Sequence, residues 1–323
     1  MKLKKINLKN IFAGLFVSAL MIINLFAGDY DFNVVPTLDF KMLELEKDSY
    51  ILSPSGSVQL LWTKKEDSPS SCPDKITTKF SYSQDIFNKG IPAYEEENFY
   101  GMSLFGKVVD GKNSYILKLD VRGAHPFGTY KNLEGILMYA RDIVKTDNMK
   151  FALGGGLVAE DTGITLGGID LFILPFPMLY FSYTSQIITA EFEWIGLPSL
   201  RFVVFPENMF RIRGESSFAG FDLPCDIRFD LALSCFPLKE GLFKDYFSIS
   251  LGISNNVNKF RINETNSLKY QYLCAYGEIS ATAITLRGGY AFAGQEKLKS
   301  DGLQTTGDYN GGFFLMISGM YKF

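Results

Sequence analysis

The chain has 323 residues, of which 47% are hydrophobic, 15% aromatic and only 21% charged, and its formal net charge is −3. That acidic balance excludes a nucleic-acid footprint, which needs a basic face. Thirty glycines and 29 phenylalanines, with no second long apolar run after the first, point away from a helical membrane protein and toward a β-protein with aromatic girdles.

The first stretch reads as a targeting segment. Lys2, Lys4, Lys5 and Lys9 precede an apolar run over 11–27 that only Gly14, Ser18 and Asn24 interrupt, and the small residues Ala27 and Gly28 follow. We expect residues 1–27 to be a cleaved secretory signal peptide and 28–323 to be a single barrel domain. An uncleaved anchor helix is the alternative, since the run touches the lower limit for a span. Four of the 32 basic residues and none of the acidic ones lie in the leader, so the remainder falls from −3 to −7. No cysteine stands at the cleavage point, which argues against a lipoprotein.

From there the chain yields segments of strand period separated by turn signals. They cover 32–43, 56–63, 76–83, 99–109, 114–122, 134–144, 149–159, 171–183, 187–194, 198–205, 209–220, 226–236, 246–254, 269–280, 283–293 and 312–323. Long connections at 84–98, 123–133, 160–170, 255–268 and 294–311 belong on one side. Short ones at 110–113, 145–148, 184–186, 206–208 and 281–282 belong on the other. The connections 64–75 and 237–245 depart from this pattern by being long where short is expected. Several segments fall short of the roughly 9–11 residues of a spanning strand, so the expected fold is an all-β, antiparallel transmembrane barrel of about 14 strands, within 12–16.

Charges within the segments fall on one face. Lys118, Asp120 and Arg122 alternate with Leu117, Leu119 and Val121; Glu191 and Glu193 alternate with Ala190, Phe192 and Trp194. The same split sets Arg211, Arg213 and Glu215 against Phe210 and Ile212, and Arg228 and Asp230 against Ile227, Phe229 and Leu231. With lipid outside, the expected lumen-facing charges are these together with Arg201, Glu278, Arg287 and Lys79. Their signs nearly cancel, unlike the single-sign ring of a strongly ion-selective filter. A symmetric hairpin about Gly196 would set Glu191 opposite Arg201, within reach of an ion pair.

The chain closes on Phe313, Leu315, Ile317, Tyr321 and Phe323, one mostly apolar and aromatic face, with Lys322 and Ser318 on the other. This ending resembles the assembly signal of bacterial outer-membrane β-barrels. Residues 286–296 (LRGGYAFAGQE) followed by 318–323 (SGMYKF) resemble the closing hairpin of an uncharacterised family of such barrels, and 175–206 is similar to the middle of such proteins. That family commonly ends in arginine before the last phenylalanine, where Lys322 keeps the charge. The resemblance implies an outer-membrane barrel of a Gram-negative-type (diderm) bacterium and supplies no activity. The implied partners are outer-membrane lipid and, through the C-terminal strand, the barrel-assembly machinery; nucleic acid is not among them.

No catalytic constellation stands out, so no enzyme activity, cofactor or metal is expected. His125 lies in a turn-rich GAHPFG segment and has no nucleophile or carboxylate at a recognisable spacing. Gly154, Gly155 and Gly156 lack the lysine and helix of a phosphate cradle and read as a place of bending or close packing. Asp301 and Asp308 lack the spacing of a calcium loop. Cys72, Cys225, Cys235 and Cys274 have no two-residue spacing, which disfavours zinc. Cys225 and Cys235 bracket one strand and stand about 33 Å apart along it, so they do not pair with each other. Two functions remain: a porin-like channel for small solutes, or a closed barrel with a structural, adhesive or partner-binding role through its loops, Glu95, Glu96 and Glu97 among them.

Overall fold

The computed structural model describes residues 29–46, 49–66, 72–88, 98–128, 132–160, 165–166, 169–195, 197–218, 227–237, 247–262, 266–300, 303–309 and 311–320. The leader, residues 321–323 of the terminal segment, Cys225 and residues 95–97 lie outside them.

Sixteen antiparallel strands close into one barrel. The first seven are β1 (Tyr30–Glu46), β2 (Ser49–Lys64), β3 (Lys75–Phe87), β4 (Asn98–Asp110), β5 (Asn113–Gly123), β6 (Leu133–Lys145) and β7 (Met149–Ala159). A small hairpin, Thr165–Leu166 with Ile169–Asp170, stands outside the ring. Next come β8 (Ile173–Thr184), β9 (Ile188–Ile195), β10 (Leu197–Val204), β11 (Phe210–Phe218), β12 (Ile227–Cys235), β13 (Phe247–Arg261), β14 (Ser267–Ala281) and β15 (Ile284–Ser300). The last strand, β16, comes in two segments, Leu303–Tyr309 and Gly312–Met320, which continue one register along β15. At the break Gly311 takes φ 89°, and a Cβ there would lie 2.1 Å from the carbonyl oxygen of Ala291, so the position demands glycine.

Closure is direct. β1 pairs with β2 along one side and with β16 along the other, from Thr37 opposite Met320 to Leu43 opposite Phe314, so no edge is left to recruit another chain. The strand number is therefore sixteen, at the upper end of the expected 12–16. The eight-residue strands β9 and β10, short for a span, each pair on both sides and cannot be left out of the ring.

Turn chemistry separates the two ends. Short connections at 111–112, 146–148, 185–187 and 282–283 lie at the end that holds Tyr30 and Met320, as do the long ones at 65–74 and 236–246, whereas at the opposite end β1 and β2, and β9 and β10, follow one another within one or two residues. Thr146 and Ser185 accept the amides of Met149 and Ile188 through their hydroxyls, and Phe205, Thr282 and Gly111 take positive φ. The opposite end carries the connections 88–97, 124–132 and 160–172 and is built up further by β13–β16. There the expected loops 255–268 and 294–311 are corrected: β13 runs to Arg261, β14 begins at Ser267, and β15 and β16 extend their ladder to Ser300 and Leu303. Asn258, expected in a loop, lies within β13 and donates to the Tyr272 hydroxyl.

The outside of the barrel carries the apolar faces of the strands. Leu38, Leu137, Leu251, Phe313, Ile212, Leu231 and Leu286 are all exposed there, Leu38 by 73% and Leu251 by 69%. Gly154 and Gly156 bring β7 close to β6: a Cβ on either would lie 2.0 or 2.2 Å from the carbonyl oxygens of Tyr139 and Leu137. That is the close packing expected of glycines inside a strand.

Candidate functional site

Residues directly opposite one another on neighbouring strands share a face, so the inner face can be traced around the ring. Asp120 stands opposite Glu134 and Ser103, Tyr180 opposite Glu193, Glu191 opposite Arg201, Arg201 opposite Glu215 and Glu215 opposite Asp230. Asp230 then faces Ser254, Ser250 faces Glu278, Glu278 faces Arg287 and Arg287 faces Met316. Ser318 faces Asp39, and Asp39, Ser55, Ser57, Ser81 and Ser103 bring the trace back to β4 on the same face. Lys118, Arg122, Arg211, Arg213 and Arg228 stand at even spacing from these and share it. This face is the concave one, because side chains of non-adjacent strands meet on it: Arg213 of β11 lies 2.5 Å from Glu278 of β14, and Lys41 of β1 donates to the Tyr272 hydroxyl of β14 at 2.9 Å.

The interior is divided. At the end away from the described termini, the amide of Ala124, just past β5, donates to the carbonyl oxygen of Arg261 in β13 at 3.0 Å. In a ring of sixteen these strands stand opposite each other, so this contact spans the barrel. On one side of the bridge Phe87, Phe99, Phe260 and Tyr270 form a ring cluster. Phe87 and Phe260 centroids lie 5.1 Å apart, Phe99 and Phe260 5.3 Å, and Phe260 and Tyr270 6.3 Å. Leu43, Leu45, Ile51, Ile262 and Leu268 complete a dry plug in the same buried cluster. Each buried aromatic or aliphatic side chain contributes about 1.5–3 kcal/mol, and ring pairs add about 0.5–1.5 kcal/mol. The plug is therefore a stable part of the fold.

Below the plug an ion-pair belt lies against the wall. Glu278, only 4% exposed, takes Arg213 through Oε1 at 2.5 Å and Arg287 through Oε2 at 2.6 Å, and Arg287 reaches Asp230 at 2.8 Å. Tyr276 donates its hydroxyl to Asp230, and the Arg287 guanidinium stacks 4.1 Å from its ring centroid. Small residues leave the room: a Cβ on Gly252 would lie 2.5 Å from the Tyr276 ring, and Ala232, Ser234 and Ser250 line the neighbouring rows. Two cations and two anions here satisfy one another, as buried charges must.

The other sector, from β5 through β11, is wet. Lys118 pairs with Asp120 at 2.7 Å and Lys150 with Asp142 at 3.1 Å. Arg201 lies 3.5 Å from Glu191 and 3.3 Å from Glu215. The side chains of Lys118, Arg201 and Glu215 stay 46%, 54% and 54% exposed although they point inward. Glu193 stands opposite Tyr180 and Arg122 is exposed toward the bridged end, while Arg228, outside this sector on β12, donates to the carbonyl oxygen of Val257 on β13 at 2.6 Å. Arg211 sits at the rim near the termini, where it donates to the Asn208 carbonyl and stacks 3.8 Å from the Phe236 ring centroid. One inner feature was missed by reading charges alone: Ile116, Ile136, Met138, Phe176, Met178 and Ile195 form an apolar patch on the inner wall of this sector. They stand at the same spacing as the charges, and that was the available signal.

Among the described residues no His, Cys, Asp and Glu group suits a metal. His125 is exposed after β5, where its carbonyl oxygen accepts from Asn132 at 2.8 Å. Cys72, Cys235 and Cys274 are free thiols, the first and last buried. No described helix is long and apolar enough to cross a membrane.

No protein-family model matches the chain, and no curated protein matches it. Among solved structures it is similar to Acinetobacter baumannii OccAB4, at 10% identity and a TM-score of 0.36 over 91% of this chain and 98% of that one. It is also similar to a mutant of the Rh. blastica porin, at 7% identity and 0.39 over 90% and 100%. Pseudomonas aeruginosa OpdQ aligns at 7% identity and 0.36 over 91% and 99%.

Proposed function

We propose that the chain is an outer-membrane barrel that conducts small hydrophilic solutes through the sector between β5 and β11, while the plugged sector braces the wall. The observation that carries this reading is the exposure of Lys118, Arg201 and Glu215, 46–54% although their side chains point into the barrel. Inward charges packed against the wall are buried in either sector, as Glu278 is at 4% and Asp120 at 3%. Charges that keep half their surface have water beside them, and a file of water is what a polar solute needs.

The outer surface supports the membrane half of the reading. Large apolar side chains including Leu38, Leu137, Leu251 and Phe313 stand exposed on the outer wall, on strands all around the ring, and lipid satisfies such a surface where water does not. In the same reading residues 1–27 export the chain, and the C-terminal face of Phe313, Leu315, Ile317, Tyr321 and Phe323 is recognised by the assembly machinery. The end with the short turns then faces the periplasm. The mixed signs lining the wet sector favour weak ion preference.

The bridge from Ala124 to Arg261 and its plug favour one competing reading, a closed barrel that acts through its outer end. Planar-bilayer recording separates the two. The channel reading expects small, ohmic steps from folded, heat-modifiable protein; silence from that same protein supports the closed barrel.

A further inference from the structure

The apolar patch inside the wet sector is out of keeping with its surroundings. Ile116, Ile136, Phe176 and Ile195 are half-buried and point inward beside Met138 and Met178, so they present apolar surface to the water that Lys118, Arg201 and Glu215 share. Strand pairing makes the patch continuous. Ile116 stands opposite Met138, Met138 opposite Gly156, Gly156 opposite Phe176, and Met178 opposite Ile195. Gly156 adds no side chain between Met138 and Phe176. Apolar surface left in water is unfavourable, and the apolar part of a bound solute relieves it.

Two charges flank the patch. Lys107 of β4 stands opposite Ile116 at one border, and Glu193 of β9 stands opposite Tyr180 and two residues from Ile195 at the other. Among the described residues neither side chain has a hydrogen bond or a direct ion pair, yet each feels the other's charge across the lumen. Their neighbours are already matched: Lys150 with Asp142, and Arg201 with Glu191 and Glu215. Lys75 adds to the positive side and Glu191 to the negative one. Two opposite charges that do not touch, with apolar wall between them, complement a solute that carries both signs and an apolar body. A singly charged solute would serve one border and leave the other unmatched. Four strands separate β4 from β9, so charges at the two ends of a short chain suit them better than the adjacent charges of one amino acid.

We propose that the wet sector holds a binding site for short zwitterionic peptides with apolar side chains. Lys107 takes the peptide's carboxylate and Glu193 its ammonium group. The apolar side chains lie on Ile116, Met138, Phe176 and Ile195. This assignment deepens the channel reading and rests on its wet sector, through which a peptide reaches the site.

The test applies two measurements to the full, folded barrel: block of single-channel current in planar bilayers, and saturation-transfer NMR in uncharged detergent. The probes are leucyl-leucine, its N-acetyl and C-amide forms, and glycyl-glycine. On the wild type, leucyl-leucine blocks longest and gives the strongest transfer, and removing either end charge weakens it by up to about fivefold, the limit for a half-exposed charge pair. Lys107→Gln erases the difference between free and amidated carboxyl and keeps that between free and acetylated amine. Glu193→Gln does the reverse. Ile116→Thr narrows the advantage of leucyl-leucine over glycyl-glycine. The probe series on the wild type decides by itself where a variant does not fold. Equal block and transfer by all four probes, or end-group preferences unchanged in folded variants, overturns the site. Silent bilayers with selective NMR transfer refute conduction and keep the site. Open channels that leucyl-leucine neither blocks nor contacts overturn the site and keep conduction, and silence in both measurements removes both.

Discussion

Glu191 and Arg201 stand directly opposite each other across the β9–β10 hairpin, and Arg201 also reaches Glu215 on β11, at 3.5 and 3.3 Å. One guanidinium thus neutralises two carboxylates on the wall of the wet sector. Replacing Arg201 by Glu gathers three carboxylates in one row. We expect the reversal potential in a salt gradient to shift toward cation preference. The melting transition should barely move, because half-exposed ion pairs contribute at most about 1 kcal/mol. An unchanged reversal potential would remove this row from the conduction path.

The buried belt behaves differently. Glu278→Ala leaves Arg287 and Arg213 without their shared carboxylate, and breaking such a buried group costs about 3–5 kcal/mol. Heat modifiability on a gel should be lost at a clearly lower temperature than in the wild type. Arg213→Ala in the same background should add less than it costs alone, since contacting residues couple. Additive losses would show that the two do not act as one unit.

Phe260→Ala combined with Tyr270→Ala removes two rings from the plug that faces Phe87 and Phe99. Each such truncation costs about 3–5 kcal/mol in a packed core. In bilayers we expect larger or more frequent openings than in the wild type. Unchanged conductance from the doubly substituted protein, verified as folded, would mean that the plugged sector is sealed by the wall itself.

Sidedness follows from the turns. In a background with the four native cysteines replaced by serine, a cysteine at Thr305, exposed on β16, should label in intact cells. One at Asp147 or Ser185, in turns at the end with the described termini, should label only after lysis. A cysteine at Asn258, whose side chain points inward to Tyr272, should label slowly on either side. Labelling of Asp147 in intact cells would invert the orientation.

Removing residues 321–323 takes away Tyr321 and Phe323 from the C-terminal face. We expect an exported chain that does not assemble, seen as loss from the outer-membrane fraction and of the heat-dependent gel shift. Recovery at wild-type level would show that Phe313, Leu315 and Ile317 suffice.

In the segments 114–122, 187–194, 209–220 and 226–236 the sequence by itself determined which residues share the charged face, and tight turns marked connections that share an end, because both signals are local: alternation has a period of two, and tight turns need particular residues. The pairing of Glu191 with Arg201 was equally legible, since a tight turn fixes register on its own. Strand length at the outer end was not. Segments such as 255–261 and 294–309 are polar on the face that meets water, so they lack the apolar-out pattern that marked the others. The strand count moved from fourteen to sixteen for a related reason: eight residues look short alone, but closure requires every place in the ring to be filled. Only the tertiary structure decided that the interior is divided. Ala124 and Arg261 meet across the barrel, and the cluster of Phe87, Phe99, Phe260 and Tyr270 joins strands far apart in the chain. Such contacts leave no periodic trace in the sequence, because they depend on how far one wall of a closed ring leans onto the other.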